Sequence, residues 1–185
     1  DVGGVAHFSR GFTVHGKIGM SNATVRSSLS FKGAVLDTAA GEEALACRGT
    51  TAAALFLQFR EPPRGQVDLS RARAALIWDD PETWPASLIL DGTVYDILRP
   101  TLHAEERLPW LERDPDGFTP QPYEQLALVY QRHGWDAAAR SVLVAKQRSL
   151  RPTLAPPARL WSLLQDATVG YGYRPLRAVW LLVCL

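Results

Sequence analysis

Over the first hundred residues apolar and polar positions alternate in short bursts broken by glycine, a period-two pattern that predicts β-strands. Within that pattern a cassette recurs. Gly16-Lys17-Ile18-Gly19-Met20-Ser21-Asn22-Ala23 returns as Gly65-Gln66-Val67-Asp68-Leu69-Ser70-Arg71-Ala72, 49 residues later. Ala44-Leu45-Ala46-Cys47-Arg48-Gly49-Thr50 returns as Ser87-Leu88-Ile89-Leu90-Asp91-Gly92-Thr93, 43 residues later, and Ser28-Leu29-Ser30-Phe31-Lys32-Gly33-Ala34 is related to both. Strand periodicity joined to a fixed repeat predicts stacked coils, because one coil cannot close a core by itself. Ile18, Met20, Ala23, Val25, Leu29 and Phe31 are the expected inward set, and Gly33, Gly49 and Gly92 the expected corners, where positive φ is needed. A β-sandwich would share the alternation but would not account for the repeat. The pattern weakens at Trp78-Asp79-Asp80-Pro81-Glu82-Thr83-Trp84-Pro85, which reads as a loop before a last coil through Tyr95 and Leu98.

The period then changes. Residues 101–122 are polar and proline-bearing, a linker in which Ala104 to Leu111 is a candidate short helix anchored by Leu108, Trp110 and Leu111. From Pro120-Gln121-Pro122 onward, Tyr123, Leu126, Ala127 and Tyr130 share one helical face; Gly134 breaks it, and Ala138, Ala139, Val142 and Leu143 line a second helix. The spacing of Tyr123, Leu126, Ala127, Tyr130, Gly134 and Ala139 is similar to a tetratricopeptide unit, in a single copy. The expected organisation is therefore mostly β and then α: a β-solenoid over 1–100, a linker over 101–122, a TPR-like hairpin over 123–151, and a basic, aromatic juxtamembrane segment over 152–185.

Charge sharpens the last assignment. Net charge is +1 overall, but residues from Arg140 onward carry +6 and residues 1–139 carry −5. Leu160, Trp161, Leu163 and Leu164 form an apolar helical face; Tyr171, Tyr173 and Trp180 then interleave with Arg174 and Arg177 before an apolar run of eight residues. That run is too short to span a bilayer, which takes about 20 residues, and reads as the start of a transmembrane helix cut short, with a short buried helix or strand as the alternative. Arg159, Trp161, Tyr171, Tyr173, Arg174, Arg177 and Trp180 are the candidate membrane residues, on the cytoplasmic face by the positive-inside rule. Anionic lipid is the expected partner, nucleic acid is not, and a second protein would contact Tyr123, Tyr130 and Trp135. Homo-oligomers are compatible with the open strand edges of an uncapped first coil.

Candidate chemistry is sparse. His7, His15, His103 and His133 lack partners at metal-ligand spacing, and His133 suits a helix C-terminus. Asp79, Asp80 and Glu82 between Trp78 and Trp84 have the composition of a sugar or hard-cation site, against the plainer reading in which Asp80 starts a turn at Pro81. Gly170-Tyr171-Gly172-Tyr173 lacks the rest of a phosphate-binding loop, and Cys47 lies on a repeat strand where packing outweighs reactivity. No catalytic residue, metal or cofactor is assigned.

The repeated Gly-x-Val/Ile-x-Leu/Met-Ser-x-Ala cassettes, Leu45-Ala46-Cys47-Arg48-Gly49, Pro120-Gln121-Pro122-Tyr123-Glu124-Gln125-Leu126 and Val169-Gly170-Tyr171-Gly172-Tyr173-Arg174-Pro175 together resemble large actinobacterial proteins with pentapeptide-like β-solenoid repeats, commonly labelled membrane-associated oxidoreductases. The resemblance implies membrane association and further hydrophobic helices; it assigns no catalytic residue. The leading expectation is a membrane-associated scaffold or interaction module. An oxidoreductase with an unrecognised cofactor site, a carbohydrate-active β-helix and a self-assembling solenoid are the alternatives.

Overall fold

The computed structural model describes residues 2–9, 11–39 and 41–153. The candidate membrane residues Arg159, Trp161, Tyr171, Tyr173, Arg174, Arg177 and Trp180 lie outside them. Among the described residues the chain winds as a parallel β-solenoid of about four turns followed by three α-helices. One wall is a five-stranded sheet of β1 (Ala6–His7), β4 (Thr24–Ser30), β7 (Thr51–Leu57), β9 (Arg73–Asp79) and β11 (Val94–Arg99), in that order. A second wall stacks β3 (Ile18–Gly19), β6 (Glu43–Ala46), β8 (Gln66–Asp68) and β10 (Ser87–Ile89); β2 (Thr13–His15) and β5 (Val35–Asp37) start a third. All pairs are parallel.

Alternation builds the core as columns. Val25, Ala52, Ala74 and Tyr95 align inward across the long wall, as do Leu29, Leu55, Ile77 and Leu98. Ile18, Leu45, Val67 and Leu88 do the same from the opposite wall. Each large aliphatic removed from water in this way contributes about 1.5–3 kcal/mol. Of the expected inward set, Ile18, Val25, Leu29 and Phe31 are buried, while Met20 and Ala23, at the edge of the first turns, are half-buried.

The corner after the second wall shows why the repeats lie so far apart. Asn22, Gly49, Arg71 and Gly92 occupy equivalent left-handed positions, with φ of 57°, 63°, 58° and 71°. They succeed one another at intervals of 27, 22 and 21 residues, so offsets of 49 and 43 each span two coils. A Cβ on Gly49 would lie 2.6 Å from Asn22 Oδ1, and one on Gly92 would lie 2.9 Å from Arg71 Cγ. Side chain and glycine therefore alternate. The next residue alternates with them: Ala23 and Ala72 follow the side-chain corners, whereas Thr50 and Thr93 follow the glycines and donate to Met20 O and Leu69 O, both at 2.7 Å.

The far end of the stack is closed by α1 (Ala104–Leu111), α2 (Pro120–Arg132) and α3 (Asp136–Leu150). The stretch that reads as a linker in sequence thus contains a packed helix over the residues marked as its candidate, with Arg107, Trp110 and Leu111 buried. The α2–α3 hairpin turns at Gly134 (φ 77°), and the His133 ring bonds Val129 O at 2.8 Å, the helix-terminal role expected of it. No helix among the described residues is long and apolar enough to cross a membrane.

How α2 closes the stack is specific. The corner N–H groups of Asn22, Gly49 and Arg71 donate to the next coil, to Arg48 O, Ser70 O and Asp91 O at 2.7–2.8 Å. Gly92 has no next coil, and its N–H donates to Gln121 Oε1 at 2.9 Å. The corner carbonyls of Ala23, Thr50 and Ala72 accept from the next strand; that of Thr93 accepts from Gln121 Nε2 at 3.1 Å. One side-chain amide therefore replaces a peptide group of the absent coil. One helical turn on, Gln125 Nε2 donates to Tyr95 O at 2.6 Å, and Arg113 O accepts from Leu88 N at 3.0 Å. Head-to-tail stacking of copies would have to displace this cover.

Two outcomes follow. Gly49→Ala should destabilise by about 1–3 kcal/mol, from left-handed strain plus the clash. The loss should shrink in an Asn22→Gly background; equal losses in both, read by urea unfolding, would refute the steric coupling. Gln121→Leu should cost about 1–3 kcal/mol by orphaning the Gly92 and Thr93 backbone groups. Gln121→Glu should be milder at acidic than at neutral pH, since only a protonated carboxyl donates to Thr93 O.

Candidate functional site

The acidic run at the end of β9 divides by role. Asp79 points inward and forms a fully buried ion pair with Arg107 of α1. Trp84 Nε1 donates to the same Asp79 oxygen at 2.9 Å, and Arg107 also donates to Pro100 O at 2.9 Å. The guanidinium is 5.2 Å from the ring centroids of both Trp84 and Trp110. Asp80 caps a short 3-10 turn over Pro81–Thr83, its Oδ1 accepting from Glu82 N at 3.1 Å, which is the turn-starting role read from the sequence. Glu82 is exposed on a groove with Arg64, Trp84 and Arg113. Trp78 faces out from the long sheet wall while Trp84 is buried, so the two indoles do not flank the carboxylates as a pair of walls.

Burial pushes the Asp79 carboxyl above its ordinary range, and Arg107 and the Trp84 N–H pull it back only in part. Tyr95, buried edge-on to Trp110 at 6.2 Å, is raised by the same desolvation. Asp79 Oδ1 and Tyr95 Oη are buried without a partner. Desolvation also pushes the Cys47 thiol up to about 12, so at neutral pH it is protonated and inert, as its place on a repeat strand implies.

The candidate partner residues separate as well. Tyr123 is buried, with its hydroxyl 3.4 Å from Ser149 Oγ, and Tyr130 is buried and donates to Leu102 O at 2.9 Å. Trp135, 40% exposed, leans on the Tyr130 ring at 5.6 Å and is the one open to a partner. It shares a cavity of about 110 Å³ with Ile97, Arg99 and Tyr130, and walls an adjoining hollow formed with Leu102 and Ala138. Leu128, also exposed, lies on the helical stripe of Gln121, Gln125 and Arg132 that faces β11. Of the six exposed large apolar side chains among the described residues, Trp78, Ile97, Leu128 and Trp135 thus fall on neighbouring elements.

Sequence reasoning missed Arg107, Gln121 and Gln125. Asp79, Gly92 and Tyr95, which they hold, lie 28 to 30 residues away, and no local period marks them. A polar residue inside an otherwise buried helical face was the available signal. No family model, curated protein or solved structure matches the chain.

Removing one partner of the buried pair should be severe. Asp79→Leu or Arg107→Met should each cost about 3–5 kcal/mol, and the two together should recover much of it, measured as a double-mutant cycle in chemical denaturation. Additive losses would show that the residues act separately. Because the native state holds the Asp79 proton more tightly than the unfolded chain does, this group's contribution falls as pH rises from the ordinary carboxylate range through the raised native value. Asp79→Asn should remove that slope.

Proposed function

We propose that the chain is a non-catalytic docking module associated with the cytoplasmic face of a membrane. In this reading the capped solenoid is a rigid platform, and the basic, aromatic residues Arg159, Trp161, Tyr171, Tyr173, Arg174, Arg177 and Trp180 engage anionic lipid. The observation that carries it is the gathering of Trp78, Ile97, Leu128 and Trp135 on adjoining elements. Scattered apolar residues are normal on a protein surface, whereas a cluster spanning strands and a helical cap marks a contact surface. The strongest buried charges support the same reading, since Asp79 and Arg107 are spent holding α1 to the solenoid. The resemblance to solenoid proteins of the membrane-associated class agrees with it; the TPR-like character of the hairpin belongs to the same proposal.

The full chain should bind vesicles of phosphatidylserine and phosphatidylcholine, more weakly as salt rises, and bind poorly to phosphatidylcholine alone. Arg174→Ala with Arg177→Ala should lower that affinity roughly 25-fold, at about fivefold per arginine near an anionic surface. Absence of vesicle binding by the wild type in a flotation assay would overturn the membrane part of the proposal.

A further inference from the structure

The outer face of the five-stranded wall is built differently from the rest of the surface. From Ala52 to Leu55, as from Ala74 to Ile77 and Tyr95 to Leu98, two residues separate successive inward positions, so each strand turns two adjacent residues outward. Ser28, Ala54, Leu76 and Ile97 form one outward row by register, and Phe56, Trp78 and Arg99 another, which ends at the buried Ser30. The Phe56 and Trp78 rings lie side by side at 6.1 Å, and Trp78 is 41% exposed. Small residues, Ala53 and Ala75, keep the middle of the face low.

Outward charge on β7, β9 and β11 is mostly basic. Arg73 and Arg99 are exposed on β9 and β11. The one outward acid on β4, β7, β9 and β11 is Asp96, already paired with Arg132 at 2.9 Å. A second copy of the chain would set arginine against arginine, so this face calls for an anionic partner.

We infer that the outer face of the five-stranded sheet is a lipid-contacting surface that lies flat against an anionic bilayer. The inference rests on the membrane association proposed above and adds a second contact, independent of residues 154–185. The four long strands, β4, β7, β9 and β11, at about 4.8 Å spacing and about 3.3 Å per residue over six or seven residues, give a face roughly 15 Å across the strands and 20 Å along them. An amphipathic acidic helix, about 10 Å across, covers half of that length and leaves either the aromatic row or Arg73 outside the contact. A bilayer covers both: Phe56 and Trp78 sit at headgroup depth, where aromatic rings are favoured, and the arginines meet lipid phosphates around them.

The test uses the full chain and vesicles of phosphatidylserine and phosphatidylcholine. Phe56→Ser with Trp78→Ser, and separately Arg73→Ala with Arg99→Ala, change exposed or half-buried positions outside the core, and thermal unfolding would verify that both variants fold. The arginine pair should lose roughly 25-fold in affinity, at about fivefold each, and flatten the salt dependence. The aromatic pair should lose affinity with the salt dependence kept, and should show less tryptophan quenching by brominated lipid. Vesicle binding unchanged in both folded variants would overturn the inference, and would leave the proposed membrane association standing if Arg174→Ala with Arg177→Ala still weakened binding. Unchanged vesicle binding, with titration by a leucine–glutamate helical peptide lost in the variants, would reassign the face to a protein partner.

Discussion

A parallel stack of strands carries its hydrogen bonds along the axis, so the last coil exposes every donor and acceptor that a following coil would have used. Leaving them buried and unpaired costs about 1–3 kcal/mol apiece, comparable to the net stability of a domain once several are summed. The rest of the structure answers that constraint. α2 lays its glutamines over the open ladder, and Gln121 serves both Gly92 N–H and Thr93 C=O as a peptide would. The backbone of Arg113, just beyond α1, supplies another acceptor. α3 then covers the outer side of the two capping helices through Ala139, Val142 and Val144.

Glutamines alone would fix the position of α2 without fixing α1. That is the task of Arg107, whose charge is held by Asp79, by Pro100 O and by two indole faces. The arrangement is expensive to assemble, because both ions leave water, and unforgiving once assembled, because neither can be removed singly. It suits a junction that must adopt one geometry: an apolar contact would let α1 slide over the end of the solenoid, whereas a guanidinium with a fixed set of acceptors admits one seat. The short 3-10 turn after β9 belongs to the same junction, since it brings Trp84 back against the pair.

What was legible in the sequence is what repeats or has a short period. The solenoid was readable from alternation and cassette recurrence, the corner glycines from their place in the cassettes, α1 from its apolar anchors, and the hairpin from helical faces. The coil length was not, because the best cassette matches join every second coil: Asn22-Ala23 is like Arg71-Ala72, and Gly49-Thr50 is like Gly92-Thr93. Their neighbours in space differ for a steric reason that similarity alone does not reveal. The buried pair escaped for another reason. Asp79 sits beside Asp80 and Glu82 and shares their composition, but a register that turns it inward, together with an arginine 28 residues on, gives it the opposite environment. The outward apolar rows needed the doubled outward residues on each strand, which plain alternation does not predict.

The corner column has a consequence for how such a chain lengthens. Asn22 leans over Gly49 and Arg71 over Gly92, so a bulky corner needs a glycine after it. Copying a single bulky-corner coil would place two side chains in one space, and copying a single glycine coil would set two permissive corners in succession and loosen the stack. Copying two coils as a block preserves the order. Growth by gene duplication is thereby favoured in even steps, and parity becomes a heritable property of this solenoid.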